Sequence, residues 1–456
     1  MKIYLTDNNI GTKKEGLYQR NEVSELFPFA NKTVAQLCRE SPNLLIFPQG
    51  IEDTEDKIND AIVYSIDNTD NPDIIRFTTG NIVGFLGIKN IKMKIQSRFD
   101  KNRDDYFLHY LLSKVLSINL FDLNHNSDEE EVFDFLLFLF PSFLRSALRQ
   151  GVYREYQQKE HDDAQVKGTI NLNQFIRKDI PFAGRVAYTV RSYSCDNAMT
   201  ELVRHTIEYI KSKEIGRQML SMNTDIVNDV KTIIEVTPNY ESRHRNRIIQ
   251  ENLRPKVHPF YTQYQPLQFL CMQILRMEEI KYGNDDNEIC GILFDAAWPW
   301  EEYLYKSVLR YCNFKHPRNK DRKNGIYLFE NQSDSSLPSG SRYKRYPDYF
   351  KLGFILDAKY KRLERGTIDR DDMHQIISYM HVEKAQIGGF IYPLSGDDTT
   401  VDRNTNFIGT LRGQGGKVYK IGVSIPCHCN SFYDFAQRMK KIEESLRRFV
   451  MSVDIF

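Results

Sequence analysis

The chain has 456 residues, 41% hydrophobic and 12% aromatic, with 24 Gly and 16 Pro, which excludes a fibrous or disordered protein; at about 100–200 residues per domain, two or three compact units are expected. Lys and Arg number 62 against 61 Asp and Glu, so any surface for a polyanion must arise from local segregation of charge, not from net charge. The seven cysteines, including Cys427 and Cys429 around His428, lack the paired C-x-x-C spacing of a zinc site and read as ordinary reduced thiols.

The N-terminus, MKIYLTDNN, has no charged region followed by an apolar run, and the most apolar stretch, Val132 to Phe140, is far shorter than the ~20 residues that span a bilayer. A cytoplasmic protein with a buried core is the expectation. From Met1 to about Asp100, runs such as Ile74 to Thr78, and Ile88 to Ile95 around Lys89-Asn90, alternate with turn residues and predict a small β-rich domain. Tyr106 to Ile118 has helical apolar spacing, and Ser127 with Glu130 forms a capping box before the next apolar helix. The polar stretch from Asn124 through the acids 128–131 marks a boundary. Residues 1–126 are therefore read as a β-rich domain plus connecting helix, serving partner docking or DNA sensing, and 127–288 as a helical scaffold. That scaffold has a helix after Ser194-Cys195-Asp196 and another after Pro266 carrying Leu267, Leu270, Ile274 and Leu275. Between them, Arg243-His244-Arg245-Asn246-Arg247 is either a solvated helix face or a phosphate contact.

The third segment, 289–456, carries the chemistry. Its order is helix 296–311, strand 326–330, a Ser- and Gly-rich loop from Gln332 to Arg342, hairpin 344–360, helix 371–385 and strand 387–392. This predicts a mixed sheet flanked by helices, and the whole chain is an α+β multi-domain protein. In the hairpin, strand alternation puts Asp357 and Lys359 on one face, and pairing across the turn at Lys351 to Gly353 brings Asp348 to the same side. Two carboxylates and an ammonium suit phosphodiester hydrolysis: hard oxygens hold Mg2+, the metal activates water, and the lysine positions the nucleophile. A D-x-K triplet by itself is more often an exposed ion pair worth under ~1 kcal/mol, so its surroundings decide. Trp300, Tyr303, Leu304, Ser307, Val308 and Tyr311 recur at helical spacing, placing Glu301 beside the buried stripe and Glu302 on the far side. Asp371 opens a helix with a core stripe at Met373, Ile376, Ile377 and Met380, and with Gln375 and Tyr379 one turn apart on an adjoining face. From Arg342 to Arg370 nine Lys or Arg face four acids, an excess that favours DNA approach. Lys344, Arg345, Lys361 and Arg362 are the expected phosphate contacts.

This segment resembles the PD-(D/E)XK nuclease superfamily, with Pro347-Asp348 as the first motif, Asp357-Ala358-Lys359 as the second and Gln375-x-x-x-Tyr379 like the RecB-type helix motif. The resemblance implies that Asp348 and Asp357 ligate Mg2+, that Lys359 assists the attacking water, that Glu301 supplies a further acid, and that Gln375 and Tyr379 position the site or the DNA. Over most of its length the chain is similar to the McrC family of modification-dependent restriction systems. Leu293-Phe294-Asp295 to Trp300-Glu301-Glu302-Tyr303, Leu356 to Lys361, Val166-Lys167-Gly168-Thr169-Ile170 with Thr where the family has Arg, Cys195-Asp196-Asn197 and Asn81 to Gly87 carry the likeness. Gln96-Ser97 stands where a Pro-Lys pair is often seen. The implied partners are double-stranded DNA and a separate McrB-like AAA+ GTPase or ATPase. A P-loop is absent from the chain itself: Gly413 to Val418 lacks the first Gly at 411 and a Ser or Thr after Lys417. The alternatives are a stand-alone RecB-like defence or repair nuclease and a non-catalytic adaptor that stimulates the NTPase.

Overall fold

The computed structural model describes the chain except residues 11–15, 42–43, 48–59, 89–90, 102–104, 117–130, 183, 282–288, 318–324, 330–343, 364–367, 402–404, 414 and 453–456. The Lys89-Asn90 turn, the 124–131 boundary up to residue 130, the Ser127–Glu130 capping box and the Gln332–Arg342 loop all lie outside the described residues. Two compact units form: Met1–Asp122 with Asp285–Phe456, and Leu123–Asn284.

In the first unit the expected β-rich domain is a five-stranded sheet ordered Lys2–Thr6, Ile91–Gln96, Ile82–Ile88, Ile289–Asp295, Leu44–Phe47. A second sheet pairs Leu17–Gln19 and Tyr64–Asn68 with Ile74–Thr79 between them. Strand 289–295 thus differs from its reading as the start of a separate third domain: it pairs antiparallel with 82–88 and parallel with 44–47, and buried Ile289 and Leu293 join the N-terminal core beside Ile82 and Leu86. The close strand approach explains two glycines. A Cβ on Gly84 would run into the Ile292 carbonyl and one on Gly291 into that of Phe85, so neither position tolerates a side chain.

The rest of the first unit is a second five-stranded sheet, ordered Tyr349–Lys351, Phe354–Ala358, Ile387–Ser395, Lys417–Ile425, Thr405–Thr410. Phe354–Ala358, Ile387–Ser395 and Lys417–Ile425 run parallel, and both edges are antiparallel. The parallel crossover is the helix Arg370–Val382, whose Ile376, Tyr379 and Met380 pack with Ile355, Phe390, Tyr392 and Val418. Phe354–Ala358 is buried on both faces, as expected of a central parallel strand. The Gly413–Gly416 turn joins two antiparallel strands and precedes no helix, so it has neither the sequence nor the setting of a phosphate-binding loop. Three helices, Tyr106–Leu116, Ala297–Ser307 and Phe432–Ser452, meet at buried Glu443, whose Oε1 accepts from the hydroxyls of Tyr110 at 2.7 Å and Tyr303 at 3.2 Å.

The second unit is largely helical, as expected, with a long antiparallel hairpin between Glu155–Asp163 and Val186–Ser194. Asn197 caps helix Ala198–Ser212: its Oδ1 accepts from the amides of Met199 and Thr200, while its Nδ2 donates to the carbonyls of Tyr153, Ser194 and Cys195. That explains the Cys195-Asp196-Asn197 signature as a buried cap. The helix expected after Pro266 spans Tyr264–Lys281, with Pro266 in its first turn. In the basic cluster 243–247, Arg243 pairs with Glu241 and Arg247 with Glu201 and Glu251 while their side chains stay 78% and 57% exposed, and Arg245 donates to the Leu275 carbonyl. Among the described residues no helix is long and apolar enough to cross a membrane.

Candidate active site

The hairpin that carries the acids turns tightly at Leu352-Gly353. Gly353 takes φ +78°, and Tyr349, Phe350 and Lys351 pair with Leu356, Ile355 and Phe354. Asp348 lies one step beyond the last pair, at the position opposite Asp357, and its Oδ2 accepts from the Ala358 amide at 2.7 Å. That bond closes the hairpin end and fixes the first acid beside the second. The Lys359 amide continues the parallel ladder by donating to the Ile391 carbonyl at 2.9 Å. Its side chain then returns along the face it shares with Asp357, and Nζ lies 2.6 Å from Asp357 Oδ2. The three residues singled out in the sequence are brought together.

Asp357 is 2% exposed. Burial pushes its carboxyl above the ordinary range, and the neighbouring Lys359 ammonium pulls it back. The 2.6 Å approach of the Lys359 ammonium to Asp357 Oδ2 is a short ion pair inside a buried setting. Burial works against the charge on Lys359, but Asp357, Asp348 and Asp372 outweigh it and hold the ammonium above its ordinary value. Lys359 stays protonated.

A carboxylate absent from the sequence expectations enters here. Asp372, in the first turn of helix Arg370–Val382, places Oδ1 3.1 Å from Lys359 Nζ and Oδ2 2.8 Å from Lys361 Nζ. Gln375, one turn on, sets its Oε1 3.4 Å from Lys359 Nζ and donates through Nε2 to the Tyr379 hydroxyl at 3.1 Å. Residues 372, 375 and 379 are spaced by three and four, one helix face. That spacing was the available signal, and it extends the Gln375–Tyr379 pair by one turn.

Glu301 and Glu302 depart from expectation. Glu302 is buried, within 3.6 Å of His316 Nε2 and 3.9 Å of Lys306 Nζ, whereas Glu301 is only half-buried. The helix is covered on two sides, by the core and by the segment that carries His316, so a single-stripe reading misplaces Glu302. It is also shorter than expected, Ala297–Ser307, followed by a 3-10 turn in which Tyr311 is 63% exposed. The backbone carbonyl of Glu301 accepts from the Tyr349 hydroxyl at 2.7 Å. Burial, then the carboxylates of Asp348, Glu301, Glu302 and Asp357, push that hydroxyl well above its ordinary value. Among the described residues no group of three or more His, Cys, Asp or Glu able to hold a metal ion is found.

The expected phosphate contacts divide. Lys344 lies over the Tyr327 and Tyr346 rings and Arg345 is exposed. Lys361 pairs with Asp369 and Asp372, each at 2.8 Å, and Arg362 donates to the Arg98 carbonyl at 2.9 Å.

A family model described as the McrBC 5-methylcytosine restriction system component matches residues 77–393. No curated protein matches the sequence. Among solved structures, the refined half-complex from a tetradecameric assembly of Thermococcus gammatolerans McrB AAA+ hexamers with bound McrC aligns at TM-score 0.51 and 14% identity, over 98% of this chain and 100% of that one. The cryo-EM structure of the Thermococcus gammatolerans McrBC complex aligns at TM-score 0.31 and 14% identity, over 70% and 90%. At these identities the first likeness is one of fold, and the second carries no argument. The family match, spanning well over half of the sequence from Phe77 to Pro393, assigns this chain to the McrBC restriction system component family.

Proposed function

We propose that the chain is the McrC-like nuclease subunit of a cytoplasmic restriction system, a Mg2+-dependent DNA endonuclease that works with a McrB-like AAA+ NTPase. The observation that carries this reading is Asp357: a buried carboxylate 2.6 Å from a lysine held in its protonated form and next to a second acid at the open end of the hairpin.

The donor set fits Mg2+, which needs hard oxygens and commonly takes one or two carboxylates, filling its shell with water and phosphate oxygens. Asp348 and Asp357 would hold it. Bound there, the ion supplies a water of lowered pKa and neutralises charge on the phosphate. The chain's own groups do the rest. Lys359 keeps a fixed positive charge at the edge of the acids, where negative charge grows as the phosphodiester is attacked. Gln375 and Tyr379 brace that lysine from the helix. Lys344, Arg345 and Lys361 supply counter-charge for the DNA backbone, while Arg362 also anchors the strand exit. The chain has no phosphate-binding loop, which supports an NTPase on a separate subunit.

The test is cleavage of plasmid DNA, with and without 5-methylcytosine, by the chain alone and with the AAA+ subunit co-purified from its source cell. Mg2+- and nucleotide-dependent cutting by the pair, lost in Asp357→Asn, supports the reading. Robust cutting by the chain alone without nucleotide would replace it with a stand-alone nuclease, and stimulation of the NTPase without cutting by an adaptor.

A further inference from the structure

We infer that Asp372 is the residue that positions Lys359, clamping its ammonium between the helix and the catalytic strand while tethering Lys361 through its other oxygen. The inference rests on the nuclease reading above and deepens it.

A lysine side chain has four rotatable bonds and about 2 kcal/mol of rotamer entropy to lose. A single ion pair on its own strand leaves such a chain free to swing about one contact. Here two carboxylates from different elements hold it: Asp357 of the strand at 2.6 Å and Asp372 of the helix at 3.1 Å, with Gln375 at 3.4 Å on the same helix face. The Lys359 side chain is 15% exposed and that of Asp372 13%, so solvent screens the pair little. Asp372 differs in kind from Asp348 and Asp357. Both of its oxygens are committed to ammonium groups, Oδ1 to Lys359 and Oδ2 to Lys361, which makes it a poor metal ligand and a good brace. Lys359 and Lys361 both lie just beyond the end of the strand Phe354–Ala358, and both reach Asp372. One carboxylate between them therefore sets the direction of both, and Asp369 takes the remaining side of Lys361 at 2.8 Å. The geometry separates roles: Lys359 is fixed toward the acids, and Lys361 is held at the more exposed rim.

The experiment uses the full chain with its AAA+ partner, Mg2+ and plasmid DNA carrying 5-methylcytosine, comparing D372N, D372E and D357N. D372N is expected to lower kcat by about 10- to 100-fold, the loss that a misplacement of roughly 1 Å brings, with KM for DNA within about twofold. D372E, which restores the charge, recovers most of that loss. A second readout needs neither metal nor partner: acetylation of Lys359 by an N-hydroxysuccinimide ester, in which the deprotonated amine displaces N-hydroxysuccinimide, is quantified by peptide mass spectrometry and is several-fold faster in D372N because the side chain, freed of one carboxylate, reaches the reagent more often. D372S repeats both measurements should D372N not accumulate as folded protein. A kcat within about twofold of the unaltered chain, or unchanged Lys359 labelling, overturns the inference. The control separates the two claims: cutting that survives D357N sinks the nuclease reading, whereas a silent D357N beside an unaffected D372N sinks the positioning role alone.

Discussion

The Arg98 guanidinium lies over the Tyr360 ring, 4.7 Å from its centroid, and donates to the Tyr360 carbonyl. Tyr360 directly follows the catalytic lysine candidate, and Arg98 directly follows the strand and Gln96-Ser97 turn of the N-terminal sheet. Asp7 completes the junction, accepting from the Arg98 amide at 2.5 Å and guanidinium at 2.9 Å, while Ser97 Oγ lies 2.6 Å from the Tyr360 hydroxyl. Ser97 of the Gln96-Ser97 turn thus has a definite partner.

Arg98→Met is expected to destabilise the first unit by about 3–5 kcal/mol, since it leaves the Asp7 charge buried and uncompensated. Burial already pushes the Asp7 carboxyl up to about 6, with Arg98 opposing. A carboxyl raised above its unfolded value contributes favourably below pH ~4 and loses that contribution as pH rises through its folded value. Without Arg98 the folded value climbs further, so the deficit of the variant should be small near pH 5 and large near pH 8. Denaturant midpoints at the two pH values check this, and an equal deficit at both would refute it.

Removing residues 1–126 should not yield a folded remainder that has merely lost docking or sensing. The cut strips the other four strands, including both direct partners of Ile289–Asp295, from that sheet and takes Arg98 from Tyr360. Buried Ile289, Ile292 and Leu293 would be uncovered, at about 1.5–3 kcal/mol per side chain. Soluble expression and near-UV circular dichroism of the truncated chain give the answer, and a soluble, cooperatively folding product would contradict the prediction. The proposed docking or sensing role is better probed by point substitution.

Asp357→Asn and Lys359→Met should each reduce DNA cutting by at least about 10²–10³-fold. Their stabilities should differ. Burial raises the Asp357 carboxyl, so its contribution is present below the ordinary carboxylate value and lost as pH rises through the raised one; neutral Asn avoids that cost at pH 7. Lys359→Met, in contrast, leaves two carboxylates facing each other without their shared cation. Paired cleavage assays and thermal melts at pH 7 should show Asp357→Asn inactive with its midpoint lowered by less than about 2 °C, and Lys359→Met inactive and less stable.

Lys361→Met should weaken DNA binding evenly across sequences and reduce the slope of log affinity against log salt by about 1, the signature of one lost phosphate contact. In the structure Lys361 is held by Asp369 and Asp372 with its side chain 47% exposed, so it can exchange a carboxylate for a phosphate. Salt titrations by fluorescence anisotropy decide this, and an unchanged slope removes Lys361 from the DNA surface.

The sequence by itself located the Asp348, Asp357 and Lys359 set and the Gln375–Tyr379 helix, because these relations are local. A two-residue alternation fixes which face of a strand is shared, a tight turn fixes which residue comes opposite, and a 3.6-residue period fixes a helix face. Asp372 carried the same helical signal, but its role depends on where that helix docks against the strand exit, which no periodicity encodes. Burial of Glu302 likewise needed the second covering layer, since phase on one helix reports only one buried side. The remaining decisions are long-range. Strand 289–295 enters a sheet made by residues near the N-terminus through backbone hydrogen bonds that are blind to side-chain pattern. Arg98 finds Tyr360 across 262 positions of chain, a contact that only the folded sheets bring into being.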